Sequence, residues 1–147
     1  MNSELLEKVK LKSIIPIGII VWILGFIWSI VVMSIIGFDY ENEKMGIDHE
    51  QYWEFELLMT PVFIIIGLLF LTYYFLKSDI PAEEWKTEGV VSGVIVMVTQ
   101  FIFDLIVIVI ALDSGVEYYI GLVTISYLLI PVWAVIAAYY VRVMREG

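Results

Sequence analysis

Cysteine is absent from the 147 residues of this chain, and histidine occurs once. The lack of cysteine excludes disulfides, thiolate metal sites and cysteine nucleophiles. Lysine and arginine are also scarce, with 8 against 17 acids, and they form no basic patch of the kind that binds nucleic acid. Phosphate-binding glycine loops and the HExxH and GxSxG patterns do not occur either. We therefore predict no nucleic-acid partner, no cofactor, no bound metal and no enzymatic activity.

Apolar residues dominate what is present. They make up 61% of the chain, against roughly 45–50% in soluble domains, and they form four long runs. Each run reaches the length of about 20 residues that a helix needs to cross a bilayer, and none shows the alternation typical of barrel strands. The sequence predicts an all-α membrane protein, a bundle of four transmembrane helices in a single membrane domain over residues 1–147. The predicted spans are residues 13–37, 57–76, 89–112 and 120–141.

Basic residues are distributed unevenly between the two sides of this bundle. Seven flank the spans on the side that holds both termini, and the opposite side has Lys44 alone. Since cytoplasmic loops carry the excess of lysine and arginine, we expect a multi-pass protein of the cell membrane with both termini in the cytoplasm. The seven residues are Lys8, Lys10, Lys12, Lys77, Lys86, Arg142 and Arg145.

Acids have the opposite distribution, with nine in the outer loops 38–56 and 113–119. Glu88, just before the third span, is counted with the cytoplasmic acids. His49 is interpreted as a surface residue of the long outer loop. An acidic loop of this kind would concentrate cations or bind a basic partner, although a solvated loop is the simpler interpretation.

Asp48 and Gln51 have capping-box spacing, which predicts that the second helix begins within this loop.

Asp104 is the one acid or base inside a predicted span. A charged carboxyl group near the bilayer centre costs at least about 2.5–3.5 kcal/mol on insertion scales, so something must offset its burial. Residues three, four or seven apart around it form a small and polar helix face, which is expected to point into the bundle. That face comprises Gly93, Met97, Gln100, Asp104 and Ala111.

Helix geometry identifies the groups that reach the depth of Asp104. At a rise of about 1.5 Å per residue, the first span reaches that level near Ser29 and the fourth near Ser126 and Tyr127. These positions offer hydroxyl groups, and the span cores contain no cation, so removal from water should favour the neutral acid. We predict an intramembrane polar site made of Asp104, Gln100, Ser126, Tyr127 and Ser29.

About the last 60 residues carry a loose pattern of glycines, polar residues and a proline. This pattern resembles that of a group of small four-helix prokaryotic integral membrane proteins without an assigned activity. The resemblance implies the four-helix architecture, and it draws attention to the amide of Gln100 and the acid of Asp104. The pattern consists of Gly89-Val-Val-Ser-Gly93, Gln100, Asp104-Leu-Ile-Val, Tyr119-Ile-Gly-Leu and Tyr127-Leu-Leu-Ile-Pro131.

Two functions fit a lone polar site in a small membrane bundle. In the first, which we favour from the sequence, neutral Asp104 and Gln100 hold helices together in a structural or partner-binding membrane subunit. Its partners would be the lipid bilayer and either a second copy of the chain or another membrane protein. In the alternative, Asp104 binds a proton or cation in the path of a small transporter or channel.

The distribution of basic residues generates a first prediction. Cysteines introduced at Ser3 and Gly147 should react with a membrane-impermeant thiol reagent only from the cytoplasmic side, because the positive-inside rule retains both termini there. A cysteine in the loop 38–56 should react only from outside. The measurement is reagent labelling of intact cells against inverted vesicles, and labelling of either terminus in intact cells would reverse the orientation.

Overall fold

The computed structural model describes residues 11–39, 49–78, 81, 83–111 and 124–146. Apolar runs produce long helices here, even around Pro16 and Pro61, because a helix satisfies its own backbone hydrogen bonds in an apolar environment. Helix α3 continues directly into a π-helical segment, and a short helix α4 precedes α5. The elements are α1 (Leu11–Ile36), α2 (Tyr52–Lys77), α3 (Trp85–Asp104), the π-helix (Leu105–Ala111), α4 (Thr124–Leu128) and α5 (Ile130–Glu146).

Four helical segments are long and apolar enough to cross a membrane, which confirms the predicted fold class. The second helix begins at Tyr52, within the outer loop as predicted, and the third begins at Trp85, before the predicted residue 89. Residues 112 and 120–123 of the predicted spans lie outside the described residues. Glu88, counted with the cytoplasmic acids before the third span, therefore lies within helix α3. The four segments are Ser13–Ile36, Tyr52–Lys77, Trp85–Ala111 and Ser126–Glu146.

The start of α2 differs from the predicted capping box. Gln51 occupies the N-cap position but makes no side-chain hydrogen bond to the helix. Its amide nitrogen Nε2 instead donates to the carbonyl oxygen of Ile36, at 2.7 Å, so it joins the end of α1 to the start of α2. Asp48, the other residue of the predicted box, lies outside the described residues.

The predicted polar face of the third span is only partly present, and the helix type changes after Asp104. Gly93, Gln100 and Asp104 are buried, as expected, but Met97 is half-buried and Ala111 is exposed. The backbone winds as a π-helix from Leu105 to Ala111, and that wider winding of i→i+5 hydrogen bonds shifts the following side chains around the axis. A face projected with α-helical spacing therefore fails beyond Asp104.

Proline breaks the fourth span but not the second. Pro61 lies inside the continuous helix α2, whereas Pro131 follows the turn that separates α4 from α5. Proline has no N–H and its ring crowds the carbonyl four residues earlier, here that of Tyr127. The backbone N–H of Leu129 donates to the carbonyl oxygen of Ser126 at 3.3 Å, which makes a tighter turn between α4 and α5.

The four long helices α1, α2, α3 and α5 are arranged in a ring. Helix α1 packs against α2 and α3, and α5 packs against the same two helices. The closest approach joins α3 to α5, where a Cβ atom added to Gly93 would lie 2.5 Å from the Cα atom of Pro131. We call the end with Lys77 and Glu146 the terminal end of the bundle, and the end with Ile36 and Tyr52 the loop end.

The contact at Gly93 generates a second prediction. Gly93→Ala should lower the free energy of unfolding by about 1–3 kcal/mol, as overpacking does in a filled core, because the backbone of Pro131 cannot move aside without shifting α5. Gly67→Ala is the matched control, since its added Cβ would lie at an ordinary 3.7 Å from the Trp133 ring. Unfolding in one detergent compares the two, and equal stabilities would contradict the packing argument.

Candidate intramembrane polar site

Asp104 ends the α-helical part of the third span and is buried, with 2% of its surface exposed. Its Oδ1 accepts a hydrogen bond from the indole Nε1 of Trp22 on α1, at 2.6 Å. The indole is held in place by rings on both helices, at 5.2 Å from Phe26 and 5.3 Å from Phe103 between centroids. The second carboxyl oxygen, Oδ2, has no hydrogen-bond partner. Half of this buried carboxyl group is therefore unsatisfied within the protein.

Asp104 borders a partly open cavity of about 80 Å³ in the loop-end half of the bundle. Each water needs roughly 10–15 Å³ of such space, so the cavity can hold several water molecules. Side chains from all four spans contribute to its wall. The lining residues are Trp22, Gly25, Phe26, Ser29, Phe55, Glu56, Met59, Thr60, Phe63, Asp104, Ile108, Ser126 and Tyr127.

The polar part of the wall is suited to a positive charge. It contains two acids, Glu56 and Asp104, and none of its lining residues is basic. The Glu56 Oε2 accepts a hydrogen bond from the Thr60 hydroxyl at 2.8 Å, while Ser29 donates to the carbonyl oxygen of Phe26 at 2.7 Å. A hydroxyl that donates to the backbone keeps lone pairs for a water or a cation.

The structure brings four of the five predicted site residues to this cavity. Asp104, Ser29, Ser126 and Tyr127 line it, and the Tyr127 side chain is a second polar neighbour of the Asp104 carboxyl group. Gln100 lies one turn away, fully buried. Its Nε2 donates to the carbonyl oxygen of Gly18 on α1, at 2.8 Å, and its Oε1 has no hydrogen-bond partner. Gln100 therefore links helices, while the other four surround open space.

Three polar contributors were missed from the sequence. Trp22 was counted as part of an apolar run, although its indole N–H is a donor that needs a partner when buried. Glu56 and Thr60 were assigned to the acidic loop and to a span, respectively, yet they are one helical turn apart on α2. The spacing of four residues was the available signal, but the packing of the helices decides that this side of α2 lines the cavity.

His49 is held by its own turn and by an aromatic ring. Its Nδ1 accepts a hydrogen bond from the backbone N–H of Gln51 at 3.1 Å, and its ring meets Phe38 edge-on with centroids 5.3 Å apart. Among the described residues, no group of three His, Cys, Asp or Glu side chains is arranged to hold a metal ion. His49 is thereby fixed to the turn before α2 and to the residue Phe38 that follows α1.

The bond from Trp22 to Asp104 generates a third prediction. Trp22→Phe should lower the free energy of unfolding by about 1–3 kcal/mol, because it leaves a buried carboxyl oxygen without its donor. Trp28→Phe is the matched control. The Trp28 indole donates to a helix carbonyl, that of Leu58, at 3.1 Å in a half-buried position, so its loss should cost less. Denaturant unfolding in mixed micelles measures both variants. An equal loss of stability would show that the bond to Asp104 stabilises the fold no more than the bond to Leu58 does.

Comparison with known proteins adds no relative from which a role could be transferred. No protein-family model matches the chain, and no curated protein or solved structure shows significant similarity to it. The resemblance to small four-helix prokaryotic membrane proteins stays a prediction. The geometry around Asp104 is therefore the basis for assigning a function.

Proposed function

We propose that this multi-pass membrane protein binds a proton or a cation at Asp104 and moves it across the membrane as a small transporter or channel. The observation that carries this proposal is the unpartnered Oδ2 of a fully buried acid that borders a cavity. An intramembrane acid on a cavity is the usual mark of an ion or proton pathway. A proton or cation bound at Oδ2 would satisfy the group that the protein leaves open.

The different hydrogen-bond contacts of Asp104 and Gln100 support this proposal over a purely structural role for the acid. Polar groups that join membrane helices do so by bonding across a helix contact. Gln100 has this geometry, since its amide reaches Gly18 across the α1–α3 contact. Asp104 accepts one such bond from Trp22, but its other oxygen remains available beside a space large enough for water.

Exposed acids at the loop end would supply the cavity with cations. Glu56 lines the cavity near the start of α2, and Glu50 and Glu54 beside it are exposed. We propose that both termini face the cytoplasm, as the basic residues predict, so that these acids face outward. A cluster of like charge at the mouth of a cleft raises the local concentration of counter-ions. The cavity would then be loaded from outside.

A structural or partner-binding subunit is the second candidate. It is supported by the helix contacts that need no ion: the Gln100 bond to Gly18 and the close approach of Gly93 to Pro131. Such contacts would hold a bundle together beside a second copy of the chain or another membrane protein. In this case Asp104 would stay protonated and serve only to bond Trp22.

Flux measurements separate the two functions and form a fourth prediction. Purified protein in liposomes should conduct protons or a small cation, and Asp104→Asn should abolish that flux, because the amide cannot take up and release a proton or neutralise a cation. The Asn variant should unfold near the parent temperature, since its side chain has similar size and can still accept the Trp22 bond. Asp104→Leu should lose stability as well. Glu83→Gln, an exposed acid at the terminal end and away from the cavity, is the matched control and should keep the flux.

Two results would contradict the proposal. The first is the absence of proton and cation flux in the parent protein, with an Asn variant of unchanged stability, which would leave the structural role as the function. The second is full flux in Asp104→Asn, which would show that the conducted ion does not need the carboxyl group.

A further inference from the structure

Glu88 is a second buried acid, at the terminal end of the same helix. It is 7% exposed, and its Oε1 accepts a hydrogen bond from the Tyr74 hydroxyl at 2.9 Å. Tyr74 on α2 is 2% exposed, and its hydroxyl also has Ser92 as a polar neighbour. An acid in the first turn of a helix at an interface would ordinarily point into water. This one points into the bundle and joins a cluster of Glu88, Tyr74 and Ser92.

The two acids lie at the ends of one buried face that winds around α3. Residues 88, 92, 96, 100 and 104 are spaced by four and all are buried. Because four residues turn an α-helix by about 40° more than a full circle, this face winds through about 160° between its ends. At about 1.5 Å per residue, the face extends roughly 24 Å between its ends. That length is most of a hydrocarbon core of about 30 Å. In order, the face carries Glu88, Ser92, Val96, Gln100 and Asp104.

Unsatisfied polar atoms are concentrated on this face. In the described part of the chain, the buried side-chain atoms without a hydrogen-bond partner are Ser92 Oγ, Gln100 Oε1 and Asp104 Oδ2. Buried polar atoms almost always have partners, so these three positions on the winding face offer sites where water molecules could bind. Hydroxyl and amide groups can both accept a hydrogen bond from a water molecule. Water molecules that bridge them would form a chain from one acid towards the other.

We infer that this face of α3 is a proton pathway that connects the cavity at Asp104 to the terminal end of the bundle through Glu88. The inference rests on the proposed function and deepens it by naming the proton as the ion and Glu88 as the second titrating group. A proton from the cavity binds the Asp104 carboxylate. It then passes by way of Gln100, bridging water and Ser92 to the Glu88 carboxylate, and leaves to the opposite side. Both acids return to their starting state after each transfer.

The middle of the face explains why a proton is favoured over a metal cation. Val96 is 1% exposed and separates Gln100 from Ser92. A metal cation that passed this point would lose most of its oxygen ligands in a low-dielectric environment, at a large free-energy cost. A proton needs only a continuous set of hydrogen bonds, which a few water molecules provide. Val96 therefore limits the flux, and an oxygen atom placed there should raise it.

The test uses the full chain in liposomes that contain a pH-sensitive dye, with a membrane potential as the driving force and no permeant metal cation. Proton flux should fall to the level of protein-free liposomes in Glu88→Gln, as in Asp104→Asn, and Glu88→Asp should restore part of it. Val96→Thr, which adds one hydroxyl at nearly constant volume, should raise the flux above the parent level. Glu83→Gln, an exposed acid two residues before α3, is the matched control and should leave the flux unchanged.

Each outcome separates the pathway from the proposed function. Flux that is lost in Asp104→Asn but intact in Glu88→Gln would overturn the Glu88 pathway and leave the ion site at Asp104 standing. Flux that is carried by sodium or potassium alone would likewise overturn the proton assignment. A parent protein without flux would remove both proposals. Thermal unfolding checks that each variant is folded. If Glu88→Gln does not fold, Glu88→Asp and Val96→Thr test the pathway in its place. Unchanged proton flux in both of these variants would overturn the pathway.

Discussion

Hydrocarbon offers no hydrogen-bond partner, and every polar feature of this bundle is arranged around that constraint. The backbone meets it by forming helices that satisfy their own N–H and C=O groups. Buried side chains meet it by reaching across helix contacts, as Trp22 does to Asp104 and Gln100 does to Gly18. The few atoms that remain without a partner are therefore exceptions to a strict rule. Their position on one face of α3 is what gives that helix its functional interest.

Helix α3 behaves differently in its two halves. Near the terminal end its glycines bring it against the backbone of α5, with Gly93 facing Pro131. Beyond Gln100 the neighbours are large aromatic residues such as Trp22, Phe63 and Tyr127. The cavity at Asp104 lies where close backbone packing gives way to aromatic packing.

Local pattern was enough to predict the four spans and the burial of Asp104, because length and hydropathy reflect the thickness of the bilayer directly. Depth along the helix axes was enough to associate Ser29, Ser126 and Tyr127 with that acid. The same reasoning missed Trp22, since an indole within an apolar run looks like a packing residue. It also counted Glu88 with the cytoplasmic acids, since hydropathy does not show that an acid in the first turn of a helix is buried.

The sequence by itself determined that the chain forms four apolar helices, and that one of them carries an acid with no cation in the span cores to balance it. These are properties of the local sequence, and in a bilayer each apolar segment forms a helix on the basis of its own residues. Only the tertiary structure decided which groups meet. The rotation of each helix about its axis, the π-helical turn after Asp104 and the break before Pro131 depend on side chains from several helices packing at once. That joint packing placed one carboxyl oxygen of Asp104 beside a cavity and turned Glu88 inward, because no single segment specifies the direction in which its side chains face.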